Sequence, residues 1–88
     1  MKDQKFTIYE ETGVYLGGEI KDGCLELLSE VYGEWDSEQH YHFSKEDTEE
    51  LFDLMSLEDF IAFCREKNLL ELDEFFKEHD IHPGIFTI

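Results

Sequence analysis

Positive charge is scarce in this chain: seven Lys and Arg stand against 23 Asp and Glu in 88 residues, a formal net charge of −16 at pH 7. Proteins that bind nucleic acid or anionic membranes present cationic surface to phosphate groups. The composition therefore argues against both kinds of direct partner.

Long apolar runs are also missing. A membrane-spanning helix needs about 20 predominantly apolar residues, and no run in the sequence approaches that length. Residues 1–5 lead into a short alternating segment without the apolar stretch of a secretory signal. We therefore expect a cytoplasmic protein.

Cysteine is limited to Cys24 and Cys64, which fall in different predicted elements and form no Cys-x-x-Cys pair. Without a secretory signal, a disulfide is the less favoured interpretation. We expect two reduced, buried thiols.

The composition is nevertheless that of a folded protein. Hydrophobic residues make up 41% of the chain, and the aromatic residues are eight Phe, four Tyr and one Trp. Acidic disordered segments lack such residues. A chain of this size buries somewhat over ~60% of its unfolded surface, which permits one modest core. We expect residues 1–88 to form a single domain.

Alternating segments punctuated by glycine dominate the first half of the chain. They are residues 6–9, 13–18 and 23–28, followed by 38–43 and, near the other end, 85–88. Asp22-Gly23 is the strongest hairpin signal, because both residues tolerate the positive φ of a primed turn. In the 38–43 segment, alternation puts Tyr41 on one face of the strand and His40 on the other. Phe43 shares a face with Tyr41, and His42 with His40.

The pattern changes to a helical period after Ser44. Ser44 and Ser56 each stand three residues before an acid, Asp47 and Asp59, which resembles a capping box. The predicted inner faces are Leu51, Phe52 and Met55 in the first helix, Leu57, Phe60, Ile61 and Cys64 in the second, and Leu69, Leu72, Phe75, Phe76 and His79 in the third. The fold class is α+β: an antiparallel β-meander of three to five strands packed against two or three amphipathic helices.

Few residues suggest chemistry. His40-x-His42 would place two imidazoles on one strand face, and His79, His82 or the cysteines would have to complete a metal site. No paired zinc-ligand spacing occurs, so polar residues on an exposed sheet face are the favoured interpretation. We expect no metal and no cofactor.

No catalytic motif is present. No serine lies in a nucleophile motif, and neither cysteine has a local histidine. Gly17-Gly18 lacks the strand–loop–helix context of a phosphate-binding loop, and Glu19 would repel phosphate. We expect that the protein is not an enzyme.

The acids of the first helix form what we call the helical acid ridge. At about 100° per residue it comprises Glu46, Glu49, Glu50 and Asp53, with no Lys or Arg among them. Like charges at i, i+4 destabilise a helix by about 0.2–0.5 kcal/mol each. Solubility explains most charged helix faces, but the absence of interleaved Lys favours a basic protein partner.

A second acidic segment joins charge to an aromatic side chain. It consists of Glu34, Trp35, Asp36 and Glu38. Trp35 lies either in the core or on the surface as an anchor, a residue type typical of binding hot spots. We predict that this segment and the helical acid ridge bind the partner.

The order of elements resembles a family. A small acidic domain without a catalytic motif, with a Gly-punctuated meander, the 38–43 strand and capped helices from Ser44 and Ser56, is similar to the immunity proteins encoded beside bacterial polymorphic or contact-dependent toxins. The resemblance spans the whole chain by architecture and transfers no site residues. It implies one-to-one binding that occludes the basic active-site cleft of a toxin, often a nuclease.

Two alternatives remain open. Phage inhibitors of restriction or CRISPR nucleases are also small and acidic, and gene neighbourhood would separate them from immunity proteins. A housekeeping interaction module with an apolar docking surface would bind with little dependence on salt. The sequence favours a monomer or a weak dimer, since an edge strand at 85–88 could pair two copies.

Overall fold

The computed structural model describes residues 2–33, 36–66 and 69–87. The elements in chain order are β1 (Gln4–Glu11), β2 (Val14–Lys21), β3 (Cys24–Val31), β4 (Ser37–His42), α1 (Lys45–Leu54), α2 (Leu57–Glu66), α3 (Leu69–Glu78) and β5 (Gly84–Thr87). The strands form one antiparallel sheet in the order β1-β2-β3-β4-β5. The three helices therefore connect two neighbouring strands, β4 and β5. The predicted α+β fold is confirmed.

Tight turns connect the first three strands. Asp22 and Gly23 have φ values of 54° and 79°, as in the type I′ turn whose twist matches that of the flanking strands. Gly13, in the turn before β2, has a φ of 84°. The predicted Asp22-Gly23 hairpin is confirmed.

Two serine caps start the first two helices. Ser44 Oγ accepts a hydrogen bond from the N–H of Asp47 at 3.0 Å, and Ser56 Oγ accepts one from the N–H of Asp59 at 3.1 Å. Each cap satisfies a backbone donor that the helix cannot pair internally. Both predicted helix starts are confirmed.

The core lies between the helices and one face of the sheet. Its buried members are Ile8, Ile20, Leu25, Leu27, Tyr41 and Phe43 from the sheet side, with Leu51, Phe60, Cys64, Leu72, Phe76 and Ile81 from the helical side. The rings of Phe43 and Phe76 meet edge to face, with centroids 5.1 Å apart. Burial of each large apolar side chain contributes about 1.5–3 kcal/mol. The other face of the sheet, which we call the open face, carries His40 and His42, as the alternation predicted.

Thr48 attaches α1 to the sheet. Its Oγ1 accepts a hydrogen bond from the N–H of Leu25 at 2.9 Å and donates one to the C=O of Ser44 at 2.8 Å. Thr48 is buried, so this hydroxyl satisfies a β3 donor that water cannot reach.

The two edges of the sheet differ. On β1 the register shifts between Thr7 and Tyr9, and Arg65 Nε of α2 donates a hydrogen bond to the C=O of Ile8 at 2.6 Å. A bulge and a side chain on the edge both hinder the addition of another strand. On β5 every residue from Gly84 to Thr87 is exposed.

The two thiols are free, but only Cys64 is buried. Burial raises the pKa of the Cys64 thiol to about 12. The expectation that Cys24 is also buried was wrong, since it is half-buried. Cys24 begins β3 on the open face, opposite Lys21.

Each helix has ten residues. Within the described part of the chain, no helix is long and apolar enough to cross a membrane.

Candidate protein-binding surface

Cross-strand pairing arranges the charges of the open face in rows. One row crosses the sheet through Lys5, Glu19, Glu26 and His42. Lys5 Nζ lies 3.4 Å from Glu19 Oε2, and His42 Nδ1 lies 3.1 Å from Glu26 Oε1. The carboxylates of this row are therefore each paired with a basic side chain.

A groove runs over this part of the open face. Gly17 and Tyr15 both line it, and the Tyr15 ring lies across Gly17, where it would overlap a Cβ. The volume is about 470 Å³, and the polar lining includes Lys5, Glu19, Glu26 and His40. The groove therefore carries both signs of charge.

A second row crosses the sheet through Glu10, Tyr15, Glu30 and Glu38. It contains three carboxylates and no basic side chain. Glu30 and Glu38 are direct cross-strand partners, an arrangement that destabilises a sheet when both are ionised. Two hollows of about 490 and 250 Å³ adjoin this row and share Glu30 and Tyr32 in their walls.

We call this region the acidic end of the sheet. It is defined by the residues that line the two hollows: the carboxylates Glu10, Glu11, Glu30, Asp36 and Glu38, the aromatic residues Tyr15 and Tyr32, and Gly13, Val14, Leu28 and Ser37. No Lys or Arg is among the described residues that line it. Within residues 2–33, 36–66 and 69–87, one Lys or Arg side chain lies within 4.0 Å of a carboxylate. It is Lys5, which lies beside Glu19.

Three hydrogen bonds involve carboxylates of the acidic end, one of them accepted by Asp36 from Gly33. Glu38 Oε1 lies 3.0 Å from His40 Nε2. Glu11 accepts a hydrogen bond from the hydroxyl of Tyr9, and this contact raises the pKa of Tyr9. Glu10 and Glu30 have no ion pair within the described ranges.

Exposed apolar side chains also lie at this end of the sheet. Tyr9, Val14, Val31 and Tyr32 are all exposed, with Tyr32 at 54%. Val14 and Val31 are cross-strand partners, and the N–H of Tyr32 donates to the C=O of Gly13 at 2.7 Å, so all belong to this end of the sheet. Tyrosine contact area beside polar groups is typical of protein-binding surfaces.

The helical acid ridge is exposed as predicted. Its members Glu46, Glu49, Glu50 and Asp53 all face solvent, whereas Thr48 and Leu51 are buried on the other side of α1. On α1 itself, Leu54 is the exposed large apolar residue. The ridge therefore offers charge with little apolar contact area, and its role in binding stays a prediction.

The predicted 34–38 segment is only partly visible. Glu34 and Trp35 lie outside the described residues, so the two alternatives for Trp35 stay open. Asp36 Oδ1 accepts a hydrogen bond from the N–H of Gly33 at 2.9 Å. Asp36 and Glu38 both line a hollow of the acidic end, which joins this predicted segment to the sheet surface.

Sequence reasoning missed Glu10, Glu30 and Tyr32. The alternation of Leu25 and Leu27 with Glu26 and Leu28 continues to Glu30, so the strand pattern contained a signal for an acid on the open face. The sequence does not give the register that places Glu30 against Glu38, because pairing between strands is not a local property.

The histidines do not converge. The rings of His40 and His42 stack with centroids 6.3 Å apart, while His79 packs against Phe75 at 4.5 Å and His82 Nε2 lies 2.8 Å from Asp80 Oδ1. In the part of the chain that the structure describes, no group of three or more His, Cys, Asp or Glu could hold a metal ion.

No family model, curated protein or solved structure matches this chain. The resemblance to immunity proteins therefore stays a prediction.

Proposed function

We propose that this protein is an immunity-type inhibitor that binds a basic bacterial toxin, such as a nuclease, and occludes its active site. The observation that supports this is the acidic end of the sheet, where five carboxylates and the exposed Tyr32 line the hollows together and no described Lys or Arg does. We assign the docking face to this surface.

Charge complementarity is the first argument. A nuclease cleft is cationic because it binds phosphate. The carboxylates of the acidic end replace those phosphates, while Tyr15 and Tyr32 supply apolar contact. The net charge of −16 steers a basic partner toward the protein, and such steering raises association rates toward ~10⁸ M⁻¹s⁻¹ at low salt.

The repulsion within the free protein is the second argument. Solubility alone would be served as well by a Glu–Lys pair across β3 and β4, which would also stabilise the sheet. Instead, Glu30 faces Glu38. A Lys or Arg of the partner placed between them converts this repulsion into attraction, so part of the binding energy comes from relief of strain already present.

Affinity capture from the native host at low salt tests the proposal. The immobilised full-length chain should retain a basic protein that elutes as salt increases. Expressed alone in bacterial cells, that protein should stop growth, and co-expression of the chain should restore it. A retained protein that is not toxic would contradict the proposal, and a restriction or CRISPR nuclease would favour the phage-inhibitor alternative.

Kinetics with the recovered toxin locate the docking face. Glu30→Lys should increase the dissociation rate at least about tenfold, because it puts a like charge inside the interface. The control Glu49→Lys makes the same charge change on the helical acid ridge and should lower only the association rate, by less than about tenfold. If Glu49→Lys alone increases the dissociation rate, the ridge is the docking face and our assignment is wrong.

A further inference from the structure

Among the described residues, no strand pairs with the outer edge of β5, and the hydrogen-bond pattern shows which groups this edge presents. The N–H of Phe43 donates to the C=O of Leu25 at 2.9 Å. In an antiparallel pair, successive residues bond alternately toward one neighbouring strand and toward the other. Phe43 and Tyr41 therefore bond toward β3, and His40 bonds toward β5.

The same alternation continues across β5. Phe86 is the register partner of His40, and Gly84 is that of His42, so these β5 residues bond back to β4. The N–H and C=O groups of Ile85 and Thr87 then point away from the sheet. They offer two donors and two acceptors to another strand.

Among the described residues, β5 is protected by its short length of four residues and by no Lys, Pro, bulge or covering element. Natural edges carry Lys, Pro, bulges or covering elements, and β1 has both a bulge and the Arg65 contact. Residues 84–87 are Gly, Ile, Phe and Thr, with a regular register. Ile85 is 48% and Phe86 58% exposed, on opposite faces of the sheet.

We propose that the β5 edge accepts an extended, basic segment of the protein partner as a sixth strand. This inference rests on the proposed function and specifies how the partner docks. Main-chain hydrogen bonds to Ile85 and Thr87 supply affinity, and the exposed Ile85 and Phe86 pack against alternate side chains of the added strand.

Charge favours a basic segment of the partner over a second copy of this chain at the β5 edge. Self-pairing brings two molecules of net charge −16 together, and their mutual repulsion opposes a dimer. A basic segment is attracted instead. Thr87 is the register partner of Gln39, next to Glu38, so one partner can contact the β5 edge and the acidic end together.

A peptide probe tests the inference on the full-length ¹⁵N-labelled chain. An eight-residue peptide alternating Lys and Val should shift the amide resonances of Ile85 and Thr87 and slow their hydrogen exchange at least about tenfold at saturation. A Glu–Val peptide should do neither. Resonance changes confined to the acidic end, with Ile85 and Thr87 unaffected, would overturn the inference.

Proline substitution supplies the matched variants. Ile85→Pro removes an outward N–H, a position where an edge strand tolerates proline, and should abolish the protection of Thr87. The control Ile85→Thr keeps the N–H and should bind the peptide. If circular dichroism shows that Ile85→Pro does not fold, Thr87→Pro removes the other outward N–H, and protection of Ile85 becomes the readout. Peptide protection that survives the proline substitution would contradict the proposal.

Two further outcomes separate the hypotheses. A dimer in sedimentation equilibrium that Ile85→Pro abolishes would assign the edge to a second copy and overturn the inference. If Ile85→Pro neutralises the toxin as well as the unmodified chain, the inference fails while the proposed function stands. If the peptide binds at β5 but no toxin is recovered, the proposed function fails and the inference about the β5 edge stands.

Discussion

Glu30 of β3 and Glu38 of β4 lie directly opposite each other on the open face of the sheet. No Lys or Arg of the described chain lies within ion-pair distance of either carboxylate. Glu38 has His40 beside it at 3.0 Å, while no described His, Lys or Arg forms an ion pair with Glu30. Adjacent strands therefore present two negative groups where opposite charges would stabilise the sheet.

Glu30→Lys should stabilise the free protein by about 0.2–1 kcal/mol, because it converts this repulsion into a cross-strand attraction. Urea unfolding at low salt measures the change. The control Glu30→Gln removes repulsion without adding attraction and should give a smaller gain. A Glu30→Lys protein less stable than the unmodified chain would show that Glu30 makes a favourable interaction in the free state.

Salt should stabilise the free protein as a whole. A net charge of −16 produces self-repulsion, and at about 0.15 M salt exposed charges are screened beyond about 8 Å. Between 10 mM and 500 mM NaCl we expect a gain near 1 kcal/mol, which raises the melting temperature by about 4–8 °C. KCl should raise the melting temperature by the same amount as NaCl, because the effect is one of ionic screening. A melting temperature that does not rise with salt would show that repulsion among the acidic side chains does not destabilise the folded protein.

Thr48→Val should destabilise the fold by about 1–3 kcal/mol. The substitution keeps the shape of the side chain but leaves the buried N–H of Leu25 without its acceptor. Thr48→Ser, which retains the hydroxyl, should lose much less of the free energy of unfolding. A larger loss in Thr48→Ser than in Thr48→Val would show that the methyl group contributes more than the hydrogen bond.

Stability should fall in alkali because Cys64 is buried. Its pKa is raised from 9.0 to about 12 in the folded state, so the unfolded chain loses this proton first. The contribution is complete below pH 9 and is lost between pH 9 and about 12, at up to about 1.4 kcal/mol per pH unit. Burial also raises the pKa of Tyr41, which adds a loss of the same sign above pH 10.

Urea unfolding between pH 8 and 11 measures this slope. Cys64→Ala should be less stable at pH 8 because it leaves a cavity, but its stability should fall less steeply with pH. The same slope in both proteins would exclude the Cys64 thiol as its source.

Local features of the fold were predictable from the sequence. The Asp22-Gly23 turn follows from the φ preferences of two residues, and the serine caps at Ser44 and Ser56 from a spacing of three. Exposure of the helical acid ridge likewise follows from the period of a single helix. Each of these depends on residues close together in the chain.

Non-local features were not predictable. Glu10, Glu30 and Glu38 fall in one row only because four strands, β1 to β4, pair in a particular register. The bond from Arg65 to the C=O of Ile8 joins residues 57 positions apart. Periodicity shows which face of an element is polar, but it does not show which polar faces become neighbours.

The unequal edges of the sheet also set a limit on assembly. If crowding forces two chains to join through β5, the resulting double sheet ends on both sides in β1, where the bulge and the Arg65 contact stand in the way of a third chain. Growth stops at the pair. Strand addition between folded chains is therefore limited to a closed pair and does not lead to an extended sheet.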